Sequence, residues 1–158
     1  MSAPDKPHEQ APELPRVSDA EMLARFQNSK KRPPCTETLG MQLTGVDQAS
    51  MISRFAFEAR PEFANPTGAI QGGFIAAMMD EAMSTAAIIA SNVTMNAPTL
   101  EMKISYLRPL FVGSATAEAK ILKWGKSTCF IECELFDPDG KLVAKASATQ
   151  APKAFKRF

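Results

Sequence analysis

One segment, residues 65–87 with the sequence NPTGAIQGGFIAAMMDEAMSTAA, constrains the fold more than any other part of the chain. From residue 73 to residue 90 the side chains are apolar on nearly every side, which predicts a long helix enclosed by the rest of the protein. Asp80 lies in the middle of this helix, where an ionised carboxylate is costly without polar partners. The acid therefore indicates a functional site. Asp80 and Glu81 also argue against a membrane-spanning helix.

The remaining sequence predicts an α+β fold in which a curved antiparallel sheet of five to six strands wraps around this one long helix. An apolar helix has to be covered on both sides, and a sheet curled around it is the economical solution. Strand-like alternation occurs in residues 39–47, 52–60, 99–106, 115–123, 128–136 and 142–148. Alternate residues of the third and the last segment are expected to share one face each: Leu100, Met102, Ile104 and Tyr106, then Leu142, Ala144, Ala146 and Ala148.

The N-terminal part of the chain divides into a tail and a short helix. Residues 1–17 are rich in proline and poor in large apolar groups, which predicts a disordered or draped tail. Residues 18–36 predict a helix and a linker, because Ser18 is a good N-cap with Glu21 in the capping-box position, and Pro33-Pro34 ends the helix. We assign the remaining residues, 37–158, to a single domain.

Composition excludes several classes of function. The chain has 158 residues and a formal net charge of +1, so we expect neither nucleic acid nor a membrane as a partner. The odd number of cysteines and the absence of a signal peptide favour the cytoplasm, and Cys129 and Cys133 are expected in the core. The single histidine, His8, lies in the tail, which argues against histidine-dependent nucleophiles and most zinc sites. We therefore expect no metal and no cofactor.

Two glycines, Gly72 and Gly73, lie where the helix is expected to begin. Their N–H groups have no intrahelical partner and sit at the positive end of the helix dipole, and the missing side chains allow a ligand carbonyl to approach closely. That combination is typical of an oxyanion or carbonyl-polarising site. The alternative is a tight helix entry that needs a positive φ, and the residues alone do not decide between the two.

Asp80 lies eight residues after Gly72, which is about 12 Å along a helix. Both groups cannot act on one carbonyl within one chain, but two antiparallel helices related by a two-fold axis would bring Gly72 of one copy towards Asp80 of the other. An active site therefore predicts a homodimer. The alternative is a structural acid bonded to Ser84 at i+4. Glu81 is about 100° around the helix, so we expect it to pair with a basic group or to reach a sheet edge.

These motifs resemble a known family. The pattern N-x-x-G-x-x-Q-G-G, the acid eight residues after the first Gly of the pair, and the following strand TLEMKISYLRP are similar to those of the hotdog-fold acyl-CoA thioesterases of the phenylacetic-acid-degradation type. The resemblance covers roughly residues 37–151. It implies a hotdog fold, in which the sheet wraps one central helix, and a homodimer with antiparallel helices that is often paired again into a tetramer.

The resemblance also implies roles for individual residues. Gly72 would donate its N–H to the thioester carbonyl, Asp80 would act as nucleophile or general base, and Asn65 and Thr99 would hold substrate or water. Gln71 stands where the family usually has His, and a Gln cannot titrate near neutral pH. We assign substrate binding to Gln71, Gly73, Ser84 and Arg108, with Lys123 and Lys126 as further candidates for the phosphates of the coenzyme.

The most specific function consistent with these residues is hydrolysis of an acyl-CoA thioester at a site shared across the dimer. One alternative is a non-catalytic hotdog protein that binds acyl-CoA or a lipid-like ligand, which the change to Gln71 favours. Another is a purely structural partner, in which the polar helix groups give dimer specificity.

Overall fold

A six-stranded antiparallel sheet packs against one long helix. A computed structural model describes residues 17–155 of the chain. The helices are α1 (Asp19–Gln27), α2 (Pro34–Thr38) and α3 (Gly72–Ala90). The strands are β1 (Gln42–Asp47), β2 (Ile52–Ala59), β3 (Met95–Asn96), β4 (Thr99–Tyr106), β5 (Gly113–Trp124), β6 (Cys129–Phe136), β7 (Leu142–Gln150) and β8 (Lys153–Ala154). The strand order in the sheet is β1-β2-β5-β6-β7-β4, and the short strands β3 and β8 pair separately.

The central helix α3 is buried on the side that faces the sheet. Nine of its residues are buried there: Ile75, Met78, Met79, Ala82, Met83, Thr85, Ala86, Ala87 and Ile89. The opposite side carries small and polar residues that are exposed or half-buried, namely Gly73, Ala77, Asp80 and Ser84. We call these four residues the open stripe. The prediction that the helix is covered on both sides is therefore wrong for a single copy of the described chain.

By length and composition α3 is the one helix of residues 17–155 that could cross a membrane, and 50% of its most apolar window is buried inside the protein. Partial burial of this kind is what a core helix shows. The strands that pack on it supply small residues, which lets the sheet approach the three buried methionines closely. Those residues are Ala115, Ala117, Ala119, Ala144, Ala146 and Ala148.

The N-terminal region differs from the sequence prediction in one element. The Ser18 Oγ atom accepts a hydrogen bond from the Glu21 N–H at 3.2 Å, which confirms the N-cap of α1. The helix nevertheless ends at Gln27, before the two prolines, and α2 begins at Pro34 because proline is favourable in the first turn of a helix. The first strand consequently begins at Gln42 instead of residue 39.

Strand β4 contains a bulge that changes which residues face the helix. The register with β7 shifts between Thr99 and Glu101, and Leu100 is 63% exposed. An extra residue in a strand breaks the two-residue alternation, so Thr99 faces α3 while Leu100 turns outward. The prediction that Leu100 shares the face of Met102 and Ile104 is therefore wrong.

Gly140, in the turn between β6 and β7, has a φ of +76°, which glycine adopts without steric cost. The prediction that two cysteines lie in the core is confirmed. Cys129 and Cys133 are buried, and burial raises the pKa of the Cys129 thiol to about 12. Residues 1–16 of the predicted tail, which include His8, and the basic residues Lys156 and Arg157 lie outside the described residues.

Candidate active site

The carboxylate of Asp80 is half-buried on the open stripe, and its partner comes from the sheet. Its Oδ1 atom accepts a hydrogen bond from the Thr99 hydroxyl at 2.6 Å, and Thr99 is the first residue of β4. The bulge in β4 is what directs this hydroxyl towards the helix. The structure thus brings together two of the predicted site residues. The alternative partner, Ser84 at i+4, makes a different hydrogen bond.

A residue that the sequence analysis missed, Gln150, joins Ser84 to Thr99. Its Nε2 atom donates to Ser84 Oγ at 3.2 Å and to Thr99 Oγ1 at 3.1 Å, and the residue is 0% exposed. We call Asp80, Thr99, Ser84 and Gln150 the Asp80 cluster. The signal was available, because Gln150 continues the inward-facing series of Ala144, Ala146 and Ala148 at the same two-residue spacing.

The helix begins at Gly72, and the two glycine amides are open. Neither Gly72 nor Gly73 has a positive φ, which removes the conformational explanation for this pair. Among the described residues their N–H groups have no hydrogen-bond acceptor, as expected for the first turn of a helix. A Cβ on Gly73 would meet no atom within 4 Å. These amides are available to a carbonyl oxygen at the positive end of the helix dipole.

Tyr106 ties the other end of β4 to this helix start, and its role was also missed. Its hydroxyl donates to the Gly72 carbonyl oxygen at 2.9 Å. A Cβ on Gly72 would lie only 3.3 Å from the Tyr106 ring, so the absence of a side chain here makes room for the tyrosine. Strand β4 therefore holds α3 at two points, through Thr99 at the acid and through Tyr106 at the glycines.

Three predicted residues make no recorded contact with Asp80 or with the glycine amides. Asn65 Oδ1 accepts hydrogen bonds from the N–H and hydroxyl of Thr67 at 2.9 and 2.6 Å, which shapes its own loop. Gln71 is exposed at the N-cap of α3 and makes no side-chain cap hydrogen bond. Arg108 is exposed and donates to the Leu142 carbonyl oxygen at 2.8 Å.

The neighbouring acid Glu81 is held by a different element. It accepts a hydrogen bond from the Thr36 hydroxyl of α2, so the expectation of a basic partner or a sheet edge is wrong. The expectation failed because helix α2, which supplies Thr36, was not predicted from the sequence. No group of three or more His, Cys, Asp or Glu side chains within residues 17–155 is placed to hold a metal ion.

The geometry suits acyl transfer. One oxygen of the Asp80 carboxylate is bonded to Thr99, and no partner is recorded for the other within the described chain. A carboxylate held in this way can accept a proton from water or attack a carbonyl carbon. The glycine amides can stabilise the oxygen that becomes negative in such a reaction.

Comparisons with known proteins agree with this chemistry. Residues 67–144 match the model of a family described as the thioesterase superfamily, and this span includes both glycines, Asp80 and Thr99. A putative esterase of Saccharolobus solfataricus is 38% identical over 117 residues, which cover 74% of this chain and 81% of that protein.

Solved structures of thioesterases are also similar to this chain. A putative thioesterase of Ralstonia eutropha, described as a phenylacetic acid degradation-related protein, has a TM-score of 0.75 and 30% identity, and the match covers 82% of this chain and 98% of that one. The PaaI protein of E. coli shares the fold with a TM-score of 0.75 at 20% identity, covering 87% and 97% of the two chains. These similarities support a hydrolase-type activity. The chain belongs to the thioesterase superfamily and has the hotdog fold.

Proposed function

We propose that the protein hydrolyses acyl-CoA thioesters at a site that two copies of the chain build together. The observation that carries the proposal is the open stripe of α3. It holds a carboxylate oriented by a strand hydroxyl, and unpartnered glycine amides lie at the start of the same helix. Family membership indicates the class of reaction. The carboxylate, the hydroxyl and the glycine amides are the groups that such a reaction needs.

In the proposed reaction the thioester carbonyl oxygen accepts a hydrogen bond from the Gly72 N–H, with the Gly73 N–H close by. Asp80 of the second copy removes a proton from water while the water oxygen attacks the carbonyl carbon. The C–S bond then breaks, the thiolate of the coenzyme leaves and takes up a proton, and the free acid remains. Direct attack by Asp80, followed by hydrolysis of the resulting anhydride, gives the same products.

The dimer is proposed because one copy cannot complete the site. Gly72 and Asp80 are about 12 Å apart along the helix axis, too far to act on one carbonyl. The open stripe consists of small and polar residues, which allow a second helix to approach closely. Strand β4 pairs only with β7 within the described chain, so its outer edge can add a strand from a second copy. Pairing of two dimers into a tetramer stays a prediction.

The remaining predicted residues are assigned to substrate binding. Arg108 is an exposed cation two residues beyond Tyr106, where it can meet phosphate groups. Gln71 and Gly73 border the glycine amides, and Ser84 borders Asp80 on the open stripe. Asn65 is assigned to holding substrate or water.

A second candidate function is binding of acyl-CoA, or of a lipid-like ligand, without turnover. Two observations favour it: Gln71 replaces a titratable histidine, and Asn65 Oδ1 is already engaged by Thr67. Against it stands the hydrogen bond between Thr99 and Asp80, which a simple binding site does not need.

Release of thiol from short, long and aromatic acyl-CoAs, followed with a disulfide-exchange dye, tests the activity. Cys35 is exposed and would react with the dye, so all variants carry Cys35→Ser. Asp80→Asn should lower turnover by about 10³-fold or more, whereas Glu81→Gln, which changes the adjacent acid, should retain most of it. Equal turnover in Asp80→Asn and wild type would remove Asp80 from the mechanism. Saturable binding without release would favour the second candidate.

Mixing two inactive variants tests whether the site is shared. Gly72→Pro removes one N–H while keeping a residue that suits the first position of a helix, and Gly72→Ala controls for the added Cβ. A dimer that combines Asp80→Asn with Gly72→Pro has one intact site, so random mixing should restore about a quarter of wild-type activity. No recovery in a confirmed mixed dimer would show that each site lies within one chain.

A further inference from the structure

We propose that Gln150 is a positioning residue that fixes the direction in which the Thr99 hydroxyl donates, and thereby holds Asp80 ready for the reaction. The inference rests on the proposed function, and it adds a residue that would act through Thr99 instead of touching the reacting atoms. It follows from the hydrogen-bonding capacity of an amide and from the complete burial of this side chain.

Gln150 is held rigidly. It is the last residue of β7, and its backbone pairs with Thr99 of β4 on one side and with Cys129 of β6 on the other. Its side chain is 0% exposed and lies between the sheet and α3. A side chain in such a position has few rotamers available, so the amide group cannot follow movements of the groups it contacts.

The amide sets the direction of the neighbouring hydrogen bonds. Both N–H groups of Nε2 are used, one towards Ser84 Oγ at 3.2 Å and one towards Thr99 Oγ1 at 3.1 Å. An amide nitrogen can only donate, so the Thr99 oxygen must accept from it. The one proton of that hydroxyl is then left for Asp80 Oδ1, 2.6 Å away.

The opposite orientation of the amide is less favourable. With oxygen and nitrogen exchanged, the amide oxygen would attract the Thr99 proton, Asp80 would lose its hydrogen bond, and two N–H donors would be buried without acceptors. In the orientation present, Gln150 Oε1 is the one buried atom of this amide without a partner. A single unsatisfied acceptor still destabilises the folded protein, and an apolar side chain of the same length would avoid that loss. Stability alone therefore does not explain a glutamine here.

The consequence is a carboxylate with a fixed orientation. Because Thr99 cannot rotate its proton towards Gln150, it keeps one oxygen of Asp80 engaged. The second oxygen then stays directed to the open stripe, where the proposed reaction takes place. Loss of the amide would let the Thr99 hydroxyl rotate and the carboxylate turn with it, and a small misplacement of a reacting group lowers the rate strongly.

A double-mutant cycle tests this inference, because a residue that acts through Thr99 has no effect when Thr99 cannot donate. Gln150→Met should lower kcat about tenfold with KM within about twofold of wild type, and Thr99→Val should lower kcat at least as much. The variant with both changes should be no slower than Thr99→Val alone. Thr149→Val, the adjacent residue whose side chain is on the other face of β7, is the control and should keep wild-type kcat.

A merely structural Gln150 would give a different result, namely losses that add in the double variant and a lower melting temperature of Gln150→Met. The inference is overturned by additive losses, or by wild-type kcat in a folded Gln150→Met protein. Gln150→Leu takes its place in the cycle if Gln150→Met does not fold.

A crystal structure of the Gln150 variant separates this inference from the proposed function. Movement of the Thr99 Oγ1 atom away from Asp80, through rotation of the Thr99 side chain or turning of the carboxylate, supports the positioning role, and an unchanged distance of 2.6 Å between Oγ1 and Oδ1 overturns it. Neither result depends on turnover. Absence of thiol release from the wild-type protein would count against the proposed function alone.

Discussion

Polar side chains on the two faces of the sheet form contacts of similar length in very different surroundings. The inner face carries the Asp80 cluster, with Gln150 fully buried and its contacts at 2.6 to 3.2 Å. The outer face carries ion pairs between strands, whose side chains are 38–50% exposed. These pairs are Arg54–Glu118 at 2.8 Å, Lys145–Glu132 at 3.4 Å and Lys145–Glu134 at 3.2 Å.

The difference teaches that burial, more than distance, decides what a polar contact does. Exposed ion pairs are screened by water and add little to stability. Inside the protein the same groups have few alternative partners, so each hydrogen bond fixes an orientation. We therefore expect changes on the inner face to alter folding or turnover, and changes on the outer face to alter neither strongly.

The largest effect is expected when a carboxylate is introduced on the inner face of the sheet and compared with one introduced at the next residue, which lies on the outer face. Ala146 is 2% exposed and its neighbours in the sheet are Ile104 and Cys133, so Ala146→Glu would bury an unpaired carboxylate and lower the free energy of unfolding by about 3–5 kcal/mol. Ser147→Glu places the same group on the exposed face, between Lys103 and Glu132 in the sheet. The opposite charges of these neighbours offset each other in water, so the free energy of unfolding should change by less than about 0.5 kcal/mol. Urea unfolding of both variants makes the comparison, and equal destabilisation would contradict it.

The reactivity of the three thiols should also depend on whether they are buried or exposed. Burial raises the pKa of Cys129 to about 12 and also raises that of Cys133, whereas Cys35 is exposed. In the folded protein one thiol per chain should react quickly with a disulfide-exchange dye, and the other two at least about 100-fold more slowly. Cys35→Ser should remove the fast phase. A second fast thiol in that variant would show that the inner face opens readily.

Tyr106→Phe tests a partly exposed polar contact, the one between Tyr106 of β4 and Gly72 of α3. The change removes the hydrogen bond to the Gly72 carbonyl and keeps the ring, so the glycine amides lose one positional restraint. We expect kcat/KM for the best acyl-CoA to fall by about 3- to 10-fold, with little change in melting temperature. Unchanged kcat/KM would indicate that the start of α3 is positioned by packing alone.

The smallest effect is expected at Lys145 on the outer face. Hydrogen bonding to Glu134 and the charge of Glu132 raise the pKa of Lys145 above its usual value of 10.5. Because the folded protein holds this proton more tightly, the stabilisation is complete below pH 10.5 and is lost as the pH rises through the raised pKa.

Lys145→Met should therefore lower the melting temperature by about 1–2 °C at pH 8, with a difference that shrinks in high salt and fades above pH 10.5. Turnover should stay at the wild-type level. A large loss of stability would mean that the outer ion pairs act as a network.

The sequence predicted the long elements and missed short or irregular ones. The helix α3 and the strands β2, β5, β6 and β7 have clear periodicity over many residues, so their type and approximate bounds were predictable. The five residues of α2 are too few to show a helical period, and its two neighbouring prolines suggested an ending instead of a beginning. The bulge in β4 has no reliable local signal, and it turns Leu100 away from the face that was predicted for it.

At the site, the candidate residues were easier to predict from the sequence than the contacts between them. Asp80 and the glycines stand out because an acid and a Gly-Gly pair are unusual in an apolar helix. The link from Gln150 through Thr99 to Asp80 joins residues that are 19 to 70 positions apart, and it depends on the strand order that places β4 beside β7. Such contacts follow from the tertiary arrangement, which a single sequence does not specify residue by residue.

The two edges of the sheet are unequal, which matters for any assembly that extends the sheet strand by strand. At the β1 edge, α1 packs alongside and Gln27 donates to the Leu43 carbonyl at 3.2 Å, which occupies a group that another strand would need. The β4 edge has no such cover in the described chain. Two copies that join through β4 would each use their one available edge, so the extended sheet would terminate at both ends. In such an assembly, the helix that begins at the Ser18 cap would oppose fibre-like growth by strand addition.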